Sequence, residues 1–304
     1  MSTSLLVSGN PSVVIKAGLY DIPPAESDPP RLHQSIAAEL MNRSPLHAWH
    51  KAFRREPEEF DAARSLGTVC HALLLGKGED NLVPVDAPDF RTGRAREERD
   101  AALAIGKTPV LVWRYEEARR LAAMVVLALA ARGITLSGRS EVTAIWRKHG
   151  VWCQGRMDHV ILPKLRTRNK HAVILDFKFT GGAAVKKTCE ARFIEHGYDI
   201  QDATYTEALG TIFPKLRGRI EMIFVFIETD PPHAIRLMPV AGSMKTSGIW
   251  RWEKARQIWK GCLEVYGTDK PWPSYGDDNE PAECPQWALN AQITEEMVEA
   301  GGNL

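Results

Sequence analysis

Four short patterns in this chain combine residue types that do chemistry together. Gly67-Thr-Val-Cys-His71 ends on an imidazole and Gly155-Arg-Met-Asp158 on a carboxylate. Asp176-Phe-Lys178 sets a carboxylate and an ammonium two residues apart, and Gln201-Asp-Ala-Thr-Tyr205 sets an amide and a phenol one helical turn apart. Residues i and i+2 of a strand point to the same face, so Asp176 and Lys178 look into one site. Charges in a mostly apolar segment need a partner or a purpose, because desolvating them is costly. If the segments bearing Asp158 and Asp176 pair as a hairpin, the two carboxylates meet at one end of a sheet. Two carboxylates and a histidine suit Mg²⁺ or Mn²⁺. Such a cation polarises a phosphodiester and acidifies a bound water. Lys178 is then placed to orient that water or to offset charge developing on the phosphate. Each pattern is commonplace alone: His71 by itself reads more readily as a helix histidine satisfied by its neighbours than as a ligand, and Gln201/Tyr205 can be read as a simple helix pair. Their occurrence together, in this order and on suitable elements, points to a site.

Those elements are legible in outline. Residues 1–30 carry Pro11, Pro23, Pro24, Pro29 and Pro30 and read as an extended arm. Helical periodicity begins at Arg31 and runs to Pro45, where Ser44 and Pro45 are suited to N-cap and first position of the next helix. A helix over 61–75 ends at Gly76 and Gly78 and carries His71. Residues 81–113 are loop-rich with a polar helix near 94–106, and a long helix spans 115–132. Strands follow at 140–148, 151–162 and 172–180, the last apolar enough at its start to be buried on both faces. Gly181-Gly182 breaks it. A helix over 199–213, strands at 219–228 and 233–238, and a helix over 243–266 complete the order. The tail is rich in Pro and Trp and reads as a wrap over the core.

The composition is that of an ordinary globular chain. Its 304 residues carry 39 Lys+Arg against 38 Asp+Glu, a formal net charge of +1, which excludes a disordered or collagen-like protein. The most apolar run, 121–131, is Ala-rich and flanked by arginines. It reads as a buried helix, far short of the roughly 20 apolar residues a membrane span needs. The start of the chain has neither the basic residues nor the apolar core of a signal peptide, so a reducing cytoplasm is expected. The 5 cysteines form no C-x-x-C pair, which argues against a zinc ribbon or an iron–sulfur cluster and for free thiols packed as small hydrophobes. Basic stretches at 91–99, 164–170 and 215–219 read first as solvated surface.

The set G-x-x-x-H, G-x-x-D, D-x-K and Q-x-x-x-Y resembles the PD-(D/E)XK nuclease superfamily in its RecB-type and RecE-type branch. Ser44-Pro-Leu-His47, Gly67 to Leu75, Gly155 to Asp158 and the Trp-Pro-x-Tyr-Gly segment at Trp272–Gly276 are similar to the RecE-like exonuclease VIII domain of phages and prophages, from about Arg31 to Leu289. The resemblance implies an α/β fold with a central mixed β-sheet flanked by helices and an N-terminal helical section. After the arm at 1–30, residues 31–304 would be one domain with a C-terminal wrap at 271–304. It implies a Mg²⁺-dependent (or Mn²⁺-dependent), ATP-independent exonuclease that resects double-stranded DNA ends 5′→3′. The 3′ single strands left behind would pass to a single-strand annealing protein in phage-type recombination. The resemblance also implies a homo-oligomeric ring, trimer or tetramer, with basic segments facing inward and no membrane contact. His71, Asp158, Asp176 and the backbone carbonyl of Phe177 would bind the metal. Lys178 would be the catalytic lysine, and Gln201 and Tyr205 would position the scissile strand or support Lys178. The strand carboxylate is Asp176 rather than Glu. Glu141 is a further candidate carboxylate, and Ser44 and Arg64 are candidates for a 5′-phosphate pocket, the former at a helix N-terminus. Other readings are a structure-specific endonuclease on the same core and a non-catalytic DNA-binding or assembly protein. Intact Asp158, Asp176 and Lys178 argue against the last, because buried charges are costly to keep without a use.

Overall fold

Branched and aromatic residues concentrate in four long segments, and these form the middle of one mixed sheet. The computed structural model describes residues 16–23, 29–54, 65–163, 171–276, 281–286 and 289–290. The strands are β1 (Gly18–Tyr20), β2 (Leu32–His33), β3 (Leu82–Val85), β4 (Thr108–Leu111), β5 (Arg139–Lys148), β6 (Val151–Ile161), β7 (Ala172–Thr180), β8 (Ile220–Glu228) and β9 (Ile235–Pro239). The helices are α1 (Gln34–Asn42), α2 (Pro45–Phe53), α3 (Ser65–Leu75), α4 (Gly93–Ala104), α5 (Val112–Ala130), α6 (Lys186–Glu195), α7 (Tyr198–Ile212) and α8 (Gly242–Tyr266). Among the described residues the main sheet has 7 strands in the order β1-β5-β6-β7-β8-β9, with β2 paired to β6 off this path. β5, β6 and β7 are antiparallel neighbours, β7 and β8 run parallel, and β9 returns antiparallel. The α/β class and the mixed sheet between helices are as the sequence predicts.

The sheet is buried on both faces. On one side Ile174, Phe224 and Phe226 pack with α1, α7 and α8 through Ile36, Ile200, Trp252 and Trp259. On the other, Leu175, Phe177 and Val225 pack with α3 and α5 through Val69, Leu121 and Val125. β7 feeds both cores, which is why its sequence is almost continuously apolar. Four of the cysteines, Cys70, Cys153, Cys189 and Cys262, are free and buried, as their scattered spacing predicts. Burial pushes the Cys70 and Cys153 thiols up to about 12.

Several expectations need correction. Part of the expected arm is a strand, β1, paired antiparallel with β5 through Gly18↔Ile145 and Tyr20↔Thr143. The first helix begins at Gln34, because Leu32 and His33 pair in parallel with Cys153 and Gln154. The loop-rich stretch holds a second, two-stranded parallel sheet, β3-β4. Its Pro84 and Pro109 are tolerated because each strand of a two-stranded sheet is an edge. Helix α6 follows the Gly181-Gly182 break, where no helix was expected. The apolar run of α5 is buried on one side only: Leu121, Val125 and Leu129 face the core, while Met124, Val126 and Leu127 face solvent. The chain divides into two compact units, residues 1–272 and 273–304. Trp272 closes the first, its ring against Phe53 and Trp259 and its Nε1 donating to the Gly267 carbonyl at 2.8 Å.

Candidate active site

The site lies where the sheet splits. The β6–β7 ladder runs only from Ile161↔Val173 to His159↔Leu175. Beyond it β6 stays paired with β5, and β7 stays paired with β8 as far as Thr180↔Glu228. The next residues along the two diverging strands are Asp158 and Asp176, so the expected hairpin forms and brings both carboxylates to its open end. In the gap the Phe177 N–H donates to Asp158 Oδ2 at 2.9 Å, a carboxylate standing in for a strand carbonyl.

Helix α3 covers the split from one side. His71 Nε2 lies 3.2 Å from Asp158 Oδ2, and its Nδ1 lies 3.7 Å from Glu141 Oε1. Glu141 sits on β5 between the pairs Ser140↔His159 and Val142↔Met157, across from Asp158. Its backbone is left-handed, φ 52°, a conformation that costs a residue with a Cβ about 1 kcal/mol. Arg156 Nη2 holds the same Glu141 oxygen at 2.9 Å. Glu141 thus belongs to the site, on the outer nitrogen of His71. Gly67 lets α3 approach: a Cβ there would stand 3.1 Å from Phe179 Cγ.

Helix α7 covers the other side. The Lys178 ammonium lies 2.6 Å from Asp176 Oδ1 and donates to Gln201 Oε1 at 3.0 Å. The Gln201 amide donates to Asp176 Oδ2 at 2.5 Å and to the Tyr205 hydroxyl at 3.3 Å, and that hydroxyl donates to the Arg156 carbonyl at 2.5 Å. A single line of polar contacts therefore runs from Lys178 through Gln201 and Tyr205 to β6. It needs Gly155, because a Cβ there would stand 2.7 Å from Tyr205 Cε1. The glycines of the G-x-x-x-H and G-x-x-D patterns are thus clearances for the helices that bear the polar residues.

The charges shift one another. Burial raises Asp176 to about 6 against the pull of the Lys178 ammonium, and the Asp158 charge adds to the rise. Burial also raises Asp158, but His71, Lys178 and the Phe177 N–H outweigh it and hold Asp158 below its ordinary value. Burial lowers His71 and Lys178, yet both stand above their ordinary values. His71 is held up by Asp158, Glu141 and Asp176, and Lys178 by Asp176 and Asp158.

Two carboxylates, an imidazole and a backbone carbonyl fit a hard divalent cation in kind. Asp176 Oδ1 is buried and receives no well-directed hydrogen bond, as befits an oxygen with coordination capacity to spare. Among the described residues, however, no three His, Cys, Asp or Glu side chains form a metal-coordinating group. The carboxylates are engaged in separate pairs, Asp158 with His71 and Asp176 with Lys178.

The remaining candidates fare differently. Ser44 caps α2 by its backbone, with Pro45 at the first position; it is buried, and its Oγ lies 2.7 Å from His47 Nδ1. Arg64 and the basic stretch 164–170 lie outside the described residues. In the stretch 91–99, Arg91, Arg94 and Arg99 lie beside Asp89, Glu98 and Asp100. Sequence reasoning passed over Tyr198, whose ring faces the Lys178 ammonium with its centroid 4.5 Å away. Its place three residues before Gln201, on the same helix face, was the available signal.

A split mixed sheet with two carboxylates and a lysine at the fork, flanked by a histidine helix and a Gln–Tyr helix, defines a nuclease-type core. The chain matches the model of the PD-(D/E)XK nuclease superfamily over residues 37–299 and belongs to that superfamily. A solved structure from Eubacterium rectale, described provisionally as an exonuclease, shares the fold. Its TM-score is 0.52 at 14% identity, over 86% of this chain and 92% of that one. The solved structure of SSO0001 aligns over 66% of this chain and 87% of its own at 17% identity, with a TM-score of 0.26. No curated protein matches the chain.

Proposed function

We propose that the protein is a Mg²⁺-dependent, ATP-independent exonuclease that digests double-stranded DNA from 5′ ends and leaves 3′ single strands for an annealing protein in recombination. The observation that carries the nuclease reading is the meeting of Asp158, Asp176 and Lys178 at the split between β6 and β7. The 5′→3′ polarity, the annealing partner and a ring of copies rest on the RecE-like resemblance of the Ser44–His47, Gly67–Leu75 and Trp272–Gly276 segments.

In this reading His71, Asp158, Asp176 and the Phe177 carbonyl would hold the cation. Such a cation, when bound, would supply polarisation of the scissile phosphate and a more acidic bound water. Gln201 holds the Lys178 ammonium beside Asp176, where it orients the attacking water or offsets charge on the phosphate. Tyr205 fixes Gln201 from behind. A cleft of about 820 Å³ opens beside His71 and Glu141 and is lined also by Lys77, Arg114 and Arg156, cations suited to the phosphates of a strand leading into the site.

Lys178→Met and Asp176→Ala test the assignment. Each is expected to slow Mg²⁺-dependent digestion of linear duplex by roughly 10²–10⁴-fold. The circular dichroism spectrum should remain that of the folded chain. Digestion at the wild-type rate by either variant removes these residues from the site.

A further inference from the structure

Lys178 ends in a flexible stem with three N–H donors, and among the described residues two oxygens face its ammonium closely. Asp176 Oδ1 lies 2.6 Å away and Gln201 Oε1 3.0 Å away. The third direction meets aromatic faces. The Nζ stands 4.5 Å from the centroid of the Tyr198 ring and 5.8 Å from that of Phe224. A ring face carries partial negative charge and attracts an ammonium, more strongly away from water.

Tyr198 is itself fixed. Its ring stacks on Phe224 at 5.5 Å and 24° and meets Phe193 edge-on at 6.0 Å. It is the first residue of α7, directly after Gly197, whose left-handed φ of 69° turns the chain into the helix. A Cβ at Gly197 would stand 2.8 Å from the Ala38 Cβ, so the start of α7 is seated closely on α1. Tyr198, Gln201 and Tyr205 recur at i, i+3 and i+7, one stripe of one helix. Beside this stripe a cleft of about 360 Å³ opens toward α1, lined by Lys178, Gln201, Tyr198, Asn42, Arg43 and Lys51. Without the ring, the Lys178 stem has room to swing into that cleft.

We propose that Tyr198 is a positioning residue: its ring face holds the Lys178 ammonium toward Asp176 and Gln201 and keeps it out of the α1 cleft. For catalysis this rests on the nuclease reading above. The contact itself is a property of the free protein.

The contact is tested by NMR on the chain labelled with [13Cε]lysine, without metal or DNA, with Lys178→Arg identifying the resonance. The Lys178 ε-protons of the wild type are expected upfield of the other lysines because of the ring current. Tyr198→Leu should move them toward ordinary lysine positions, and Tyr198→Phe should restore the displacement. In cleavage of linear duplex, Tyr198→Leu is expected to lower kcat about tenfold with little change in KM, and Tyr198→Phe to recover most of the loss. An ε-proton shift unchanged between wild type and Tyr198→Leu overturns the proposal. So does a raised KM at unchanged kcat. A wild-type chain that cuts no DNA overturns the nuclease reading instead, and the lysine resonance still decides whether the ring holds Lys178.

Discussion

Each charged group in the site stands beside a group that compensates it: Asp158 with His71, Asp176 with Lys178, Glu141 with Arg156. Next to Gln201 on α7, Asp202 has no such partner among the described residues. It is 2% exposed, its Oδ1 accepts no hydrogen bond, and burial raises its pKa to about 6 despite the charge of Lys245. The folded chain therefore holds the Asp202 proton more tightly than the unfolded chain does. Stability contributed at this position falls as pH rises from 3.8 to about 6, and stays lower above that window. Asp202→Asn is expected to gain about 1–2 kcal/mol at pH 7.5 and nothing below pH 4, read from urea unfolding at both pH values. A variant less stable than wild type at both would show that the carboxylate has a partner. At this scale the sequence exposed six residues, His71, Asp158, Asp176, Lys178, Gln201 and Tyr205, because strand and helix periods fix which faces they share. It was less direct about Glu141, whose left-handed backbone places its carboxylate on His71 Nδ1. It was silent on Tyr198, whose role depends on where a flexible lysine points.

Elements were legible where one period or one composition persisted over many residues. β7 follows the expected bounds, 172–180, because a strand buried on both faces is apolar along its length. Strands β1 and β2 have only 3 and 2 residues, too few to show an alternation. Helix α6 buries little beyond Cys189 and Phe193, so its apolar stripe is too sparse to stand out. What no periodicity shows is the split between β6 and β7, since a ladder that stops early leaves both strands reading as strands. The packing of α7 on β6 makes a prediction at this scale. Gly155→Ala puts a methyl 2.7 Å from Tyr205 Cε1 and must push Tyr205 off the Arg156 carbonyl. The expected cost is about 1–3 kcal/mol in thermal or urea unfolding, with slower cleavage because Gln201 loses its support. Wild-type stability and rate in this variant would mean that the helix is free to shift.

A whole chain of net charge +1 has no general attraction for DNA, so binding must come from local placement. Lys77, Arg114 and Arg156 line the cleft beside the site, each near an acid (Asp21, Glu117 and Glu141), as the arginines of the 91–99 stretch are near theirs. The outer face of α5 leaves Met124, Val126 and Leu127 exposed, apolar surface of the kind that association between copies covers. Among the described residues no helix is long and apolar enough to cross a membrane. In the proposed function, the cleft beside the site is where a DNA end would enter. The most direct measurement is digestion of linear against covalently closed circular duplex, with Mg²⁺ and with EDTA, using separate 5′ and 3′ end labels. The account predicts that only the linear DNA is lost, only with Mg²⁺, and that the 5′ label is released first. Cutting of the closed circle, or binding of both forms without cleavage, would contradict it.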